Sequence, residues 1–346
     1  MNSITRSIKQ HGATKAIPKT KLAMAVVLAL SFPALVLAAD VELPRIDVVG
    51  EGGEAIAKLP GSVAIITQEE LALTQPLSTQ DALKSVPGIV VREEEGYGFI
   101  PNIGMRGLNP NRSQKLLVLE DGVPVAPGLF LANESYYSPR IERMQSIEVL
   151  KGAAGLRYGP TTIGGVINYI TKDPEKGATV TAKAGSHGYG LIGLDAGGSS
   201  SSGNAIGGIS LVKSQGDGFR NNAFDLSDAV IKGGMAIGDN QWIGAKLTYY
   251  DNEINTSYVG LRPNEYKNDP TKNPAPNDYF LTDRKSFDIN HELAINDSVK
   301  LQTLLYWSQL TRDYWRREVQ ARSANGTTFV PCDGSAYCMN GNNRTF

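Results

Sequence analysis

The chain has 346 residues, with 34 Lys plus Arg against 35 Asp plus Glu and a formal net charge of −1. That balance gives no electrostatic case for nucleic acid as a partner. Three His and two Cys are too few and too scattered for a metal cage, and no Ser/His/Asp or Cys/His grouping stands out, so the chain does not read as an enzyme.

Residues 1–39 read as a secretory signal. Arg6, Lys9, Lys15, Lys19 and Lys21 form a basic front, and Leu22 to Leu37 is an apolar core broken by Ser31 and Pro33. Val36-Leu37-Ala38 is a small-residue cleavage site. The alternative, a membrane anchor, needs an unbroken apolar run of roughly 20 residues. Residues 40–58 are polar and glycine-bearing and contain one short β-prone segment, Ile46-Asp47-Val48-Val49. On its own that segment is a linker strand.

From Ser62 to Thr67 a strand is expected. Thr67-Gln68-Glu69-Glu70 is a capping-box pattern that opens a short helix. Ser78-Thr79-Gln80-Asp81 opens another, with Ala82, Leu83 and Val86 on its inner side, and Pro87-Gly88 stops it. Ile89-Val90-Val91 is a strand. Arg92 to Phe99 is a charged loop with glycines at 96 and 98. Leu116 to Leu119 reads as a buried strand, and Asp121-Gly122 supplies the positive φ angles of a tight hairpin. Ser138-Pro139 predicts a helix start, with Ile141 and Met144 on one face. Ser146–Leu150 and Val166–Thr171 are further strands.

From Gly177 the pattern changes to long amphipathic strands, over about 178–186, 188–198, 204–214, 227–238, 241–251, 284–295 and 298–311. In the fifth, Ile243, Ala245, Leu247 and Tyr249 share one face, and Gly244, Lys246 and Thr248 the other. Short turns at 199–204, 238–240 and 296–297 alternate with longer polar segments at 215–226 and 252–283. Strands of roughly ten residues, apolar on one face and polar on the other, joined by alternately short and long connections, are what a membrane barrel requires. Cys332 and Cys338 follow in a loop segment. An exported, oxidising setting favours a disulfide between them over two free thiols.

One stretch carries a family resemblance. Asn102-Ile103-Gly104-Met105-Arg106-Gly107, Leu119-Glu120-Asp121-Gly122-Val123-Pro124, Ile141-Glu142-Arg143, Ile147-Glu148-Val149-Leu150-Lys151-Gly152, Leu156-Arg157-Tyr158-Gly159 and Ile163-Gly164-Gly165-Val166-Ile167-Asn168 resemble, in order, the plug of TonB-dependent outer-membrane receptors. The wording of EDGVPVAPG and TTIGGVINYITKDPEKG is most similar to the ferric dicitrate receptor branch. The resemblance implies an α+β plug domain at 59–176, followed by antiparallel transmembrane β-barrel strands at 177–346. About seven of the 22 strands of such a barrel are legible. A fragment or truncated gene product that does not transport alone is therefore expected.

By the same resemblance, Ile46, Asp47, Val48 and Val49 become the TonB box, which adds a strand to its partner's edge. The short leader leaves no room for an extra periplasmic signalling domain, so no direct role in sigma-factor signalling is expected. Arg106 and Lys151 become the latch that pairs with barrel glutamates on later strands. The implied function is import of a ferric chelate, ferric citrate or another siderophore, across the outer membrane of a Gram-negative bacterium. TonB with ExbB and ExbD supplies the force, lipid surrounds the barrel, and iron arrives as chelate rather than as a cofactor. A remnant that binds ligand without importing it is the alternative. For an anionic chelate, arginine is the matching contact. The candidates are Arg92, Tyr97 and Arg112 on plug loops, and Arg262, Arg312, Arg316 and Arg317 on the wall. The ordinary role of any one of these arginines is a charge at the barrel rim.

Overall fold

The structure is a computed structural model that describes residues 61–128, 132–159, 161–256, 260–296, 298–317, 320–322, 329–331 and 339–346. The leader, Ile46–Val49, Cys332 and Cys338 lie outside the described residues.

The first part is a small mixed unit. β1 (Ser62–Ile66) runs into α1 (Gln68–Thr74), which the Thr67 capping box opens: Thr67 Oγ1 accepts from Glu70 N at 3.2 Å, and Thr67 N donates to Glu70 Oε2 at 3.0 Å. In α2 (Thr79–Leu83) the Ser78 hydroxyl accepts from Asp81 N at 3.1 Å. Then come β2 (Ile89–Val91), β3 (Ile103–Met105), β4 (Leu116–Glu120), β5 (Val123–Pro124), β6 (Met144–Lys151) and β7 (Gly165–Thr171). The central sheet has the order β1-β6-β7-β4-β5, with β4 and β7 parallel, and β2 pairs with β3 alone. Asp121 and Gly122 take φ of 49° and 82°, which is why an Asp-Gly pair can turn β4 into β5.

The predicted helix at Ser138-Pro139 does not form. Residues 133–140 take no regular secondary structure, and Ile141–Arg143 make only a single 3-10 turn before β6. The Ser138 hydroxyl lies 2.8 Å from that of Thr79, and the Pro139 carbonyl accepts from the Thr79 hydroxyl at 3.4 Å. A tertiary partner has taken the group that would have capped the helix.

The second part is an antiparallel wall: β8 (Gly177–Ala184), β9 (Gly190–Ser199), β10 (Ala205–Gly216), β11 (Phe224–Ile237), β12 (Gln241–Ile254), β13 (Tyr279–Asn296) and β14 (Val299–Arg317). Beyond β14 come the short pair β15 (Gln320–Arg322) and β16 (Phe329–Pro331), and β17 (Met339–Thr345) lies against β14. The wall sheet has eight strands rather than about seven, in the order β17-β14-β13-β12-β11-β10-β9-β8. The segment MNGNNRT of β17 has no apolar alternation, so periodicity did not mark it. β13 and β14 reach 18 and 19 residues. A tilted strand needs about ten residues to cross a bilayer, so these two project beyond it.

The register settles what each wall residue faces. Ile209, Ile231, Leu247, Phe287 and Trp307 stand side by side in one row and point outward. On the inner face the rows change in chemistry along the strands. Phe224, Ile254, Phe280 and Tyr314 form an apolar row nearest the long connections. Asp228, Tyr250, Arg284 and Leu310 form a mixed row farther in, and Lys232, Lys246, Asp288 and Tyr306 a charged one. The plug core continues into the apolar row: Ile103, Met105, Tyr136 and Tyr137 belong to one buried cluster with Phe224, Tyr250, Ile254 and Phe280. A barrel lumen is polar where it holds water. Where the plug covers it, this inner face is apolar in the row nearest the long connections and charged farther in.

Candidate functional site

The plug is seated on the wall by buried charges. Lys246, from β12, reaches the Glu-Asp-Gly turn between β4 and β5. Its Nζ lies 2.6 Å from Asp121 Oδ2 and 3.3 Å from Glu120 Oε1, with Asp288 of β13 at 3.8 Å. The turn is fixed from the plug side as well. Thr171 donates its N–H to Asp121 Oδ1 at 2.8 Å and its hydroxyl to Asp121 Oδ2 at 2.6 Å. Gly122 N donates to the buried Asn168 Oδ1 at 3.0 Å. Arg143 donates to Glu120 Oε1 at 2.9 Å and to the Tyr137 hydroxyl, which itself donates to Glu120 Oε2 at 2.8 Å. Arg143 Nε also lies 3.3 Å from Asp228 Oδ1 on β11, an ion pair without hydrogen-bond alignment.

These groups are almost wholly buried, and burial alone would push the Glu120 carboxyl up. The cations Arg143, Lys246 and Arg284 outweigh that effect and hold it at about 2. For Asp121, burial is likewise outweighed, by Lys246 and Lys232, and its carboxyl is held below the usual range. Both therefore stay ionised in the lumen, which is affordable only because paired cations face them. Three further ion pairs run from plug to wall: Lys232 to Asp173 at 2.7 Å, Lys183 to Glu142 at 3.3 Å and Lys172 to Asp195 at 3.8 Å.

The end of the lumen from which the long connections leave has a different character. Tyr136 is flanked by two guanidiniums, with Arg312 Cζ 4.3 Å and Arg112 Cζ 5.7 Å from its ring centre. Arg312 and Arg316 each also lie 5.1 Å from the Tyr314 ring. Arg112 donates to Glu94 Oε2 at 2.9 Å and to Asn102 Oδ1 at 3.0 Å. Arg92 Nη2 lies 3.7 Å from Glu94 and 3.4 Å from Asn111 Oδ1.

Arg92, Arg112, Arg312 and Arg316 thus gather around Glu94 and the tyrosines. Arg262 is exposed and precedes the short helix α3 (Pro263–Asn268) in the 255–278 connection, and Arg317 is the last residue of β14. Tyr97 turns to the wall, its ring 4.4 Å from that of Phe224. Lys151 is buried and donates to the Pro87 carbonyl at 3.0 Å within the plug. Arg106 is exposed, with its guanidinium beside Gly152. The plug-to-wall ion pairs among the described residues run through Lys172, Lys183, Lys232, Lys246 and Arg143. Sequence reasoning put Lys246 on the polar face of its strand, but nothing local names a partner that lies 125 residues earlier.

A family model described as the TonB-dependent receptor plug domain matches residues 55–166. The vitamin B12 transporter BtuB of Photobacterium profundum is 32% identical over 249 residues, 68% of this chain and 40% of that protein. BtuB of Vibrio vulnificus is 36% identical over 138 residues, 38% of this chain and 22% of that protein. The unliganded ferric citrate transporter FecA superposes with a TM-score of 0.69 at 23% identity, covering 79% of this chain and 44% of that one. The ferric-catecholate import receptor Fiu from K12 E. coli, in its closed form, gives 0.62 at 17% identity, covering 84% and 42%. The chain spans less than half the length of these relatives, and at such identities the structural likeness is one of fold. The curated relatives are transporters and not enzymes. The chain carries the plug domain of the TonB-dependent receptors, seated against barrel strands of the fold that these outer-membrane receptors share.

Proposed function

We propose that the protein takes a ferric chelate across the outer membrane, with ferric citrate as the leading cargo, driven by TonB with ExbB and ExbD. The observation that carries this reading is the convergence of Arg112 and Arg312 on Tyr136 at the mouth of the lumen. Planar, permanently charged guanidiniums held by an aromatic ring suit a ligand rich in carboxylates. Such a ligand competes with Glu94 for Arg112. Arg92 and Arg316 extend the same basic rim, and Arg262, Arg317 and Tyr97 are further candidate contacts.

Below the mouth, the charge-seated plug closes the lumen. Ile46–Val49 serves as the TonB box, adding a strand to the edge of TonB so that force reaches the plug. Arg106 and Lys151 remain the proposed latch toward glutamates on later barrel strands, and Cys332 and Cys338 a disulfide in a surface loop. Iron enters within the cargo and no resident cofactor is proposed.

The vitamin B12 transporters among the relatives favour a second reading, in which the cargo is a corrinoid. Uptake of radiolabelled ferric citrate and of labelled cobalamin by receptor-deleted cells expressing the full-length protein distinguishes the two. Ferric citrate should accumulate, and deletion of residues 46–49 should abolish accumulation while surface binding persists. Accumulation of cobalamin alone would transfer the cargo to the second reading. Binding of either ligand without uptake would establish a protein that only binds.

A further inference from the structure

The loop between β2 and β3 is built around a buried acid. Glu95 has 6% of its surface exposed. Its Oε1 accepts the backbone N–H groups of Phe99 and of Ile100, the latter at 3.0 Å, closing the loop on itself. Its Oε2 is buried with no hydrogen-bond partner among the described residues. The closed loop is docked on both sides. Gln80 Nε2 donates to the carbonyls of Gly98 at 2.8 Å and Ile100 at 3.1 Å. Gly98, at φ +74°, sits so close to α2 that a Cβ there would lie 2.3 Å from Ser78 Oγ. On the wall side, Asn222 Nδ2 donates to the Glu95 carbonyl at 3.1 Å, and the rings of Tyr97 and Phe99 stand 4.4 and 5.0 Å from Phe224.

No cation pairs with the Glu95 carboxylate among the described residues. On its own loop, Glu93 is paired with Lys84, and Glu94 with Arg112 at 2.9 Å. Arg140 lies over the Phe99 ring, 5.6 Å from its centre, but is committed to Glu142 at 3.0 Å. The wall offers Tyr250, and Asp217 stands near Tyr97. A carboxylate in such a place loses its hydration and gains two backbone N–H groups but no counter-charge, so its charge is costly while the loop stays docked.

We propose that residues 92–100 form a proton-linked fastener at the mouth of the lumen, docked on the wall while the Glu95 carboxyl is neutral and released as it ionises and turns to water. The inference is independent of the cargo. Burial pushes the carboxyl from 4.5 up to about 7, against the backbone N–H groups and with help from Glu94. A group raised in the docked state favours docking fully below its free value, and that advantage is lost as pH rises through about 7. A shift of that size changes the docked-to-released ratio by roughly 300-fold across the window.

Hydrogen exchange of the full-length protein in detergent, followed by mass spectrometry over peptides spanning 92–100 and corrected for intrinsic rates, reads the fastener without any ligand. Protection in the wild type should fall between pH 5 and 8. Glu95→Gln, which keeps the acceptor and stays neutral, should hold the loop protected at both ends of that range. Glu93→Gln, altering an exposed acid already paired with Lys84, should keep the wild-type profile. A wild-type loop equally protected across the range would overturn the proposal. So would a Glu95→Gln protein that retains the wild-type profile, or one whose loop is open at every pH.

Discussion

Lys246 Nζ on wall strand β12 lies 2.6 Å from Asp121 Oδ2 in the plug, between residues 125 apart in sequence. The pair is buried and sits within a set of charges that the strand register supplies: Lys232 and Asp288 flank Lys246 on the neighbouring strands, and Glu120 lies beside Asp121. The wall therefore presents a cation where the plug presents the acidic Glu120-Asp121 turn.

Lys246→Met should loosen the plug. It leaves two buried carboxylates with fewer counter-charges, and breaking a buried pair on one side typically costs about 3–5 kcal/mol. Conductance of the full-length protein in a planar bilayer, recorded against urea, reports plug release. The variant should open at lower urea than the wild type, and Lys246→Arg should recover most of the difference. An unchanged midpoint in Lys246→Met would remove Lys246 from the seat.

The pH dependence of seating follows from Glu120. Its carboxyl is held at about 2, below the ordinary 4.5, so its contribution is complete above 4.5 and is lost as pH falls toward 2. The shift is worth about 3 kcal/mol. In Glu95→Gln, where the 92–100 loop stays docked, plug release in the same bilayer assay should be indistinguishable at pH 7 and 5.5 and become easier at pH 3. Release that eases between pH 7 and 5.5 would assign the control to another group.

At the mouth, Arg312→Ala should weaken binding of ferric citrate by about tenfold or more, since a hydrogen bond to a charged group is worth about 1.5–3 kcal/mol. Arg262→Ala, on an exposed loop, should change affinity far less. Fluorescence titration of the purified full-length protein measures both. Equal losses in the two variants would point to general rim charge and not to a site around Tyr136.

Much of this was legible because it is local. The Thr67 capping box, the Ser78 cap, the Asp121-Gly122 turn and the alternation of Ile243, Ala245, Leu247 and Tyr249 each depend on residues a few positions apart. Ser138-Pro139 misled because Thr79 takes the hydroxyl that would have capped a helix. The eighth wall strand carries no apolar period and is defined by its pairing with β14. Among the site residues, arginines at the mouth were named from their chemistry, and the fold brings four of them together. Glu120, Asp121 and Lys246 went unnamed as a site, because an acidic turn and a lumen-facing lysine become a seat only when the plug meets the wall.

Spin labels placed along β12 and β13 of the full-length protein in lipid bilayers test the central claim, a plug seated inside a lipid-facing wall. Labels at Leu247 and Phe287 should be relaxed by dissolved oxygen and shielded from a water-soluble reagent, and labels at Thr248 and Ser286 should be shielded from both by the plug. Water-soluble reagent reaching the outward row, or oxygen reaching both rows alike, would contradict the account.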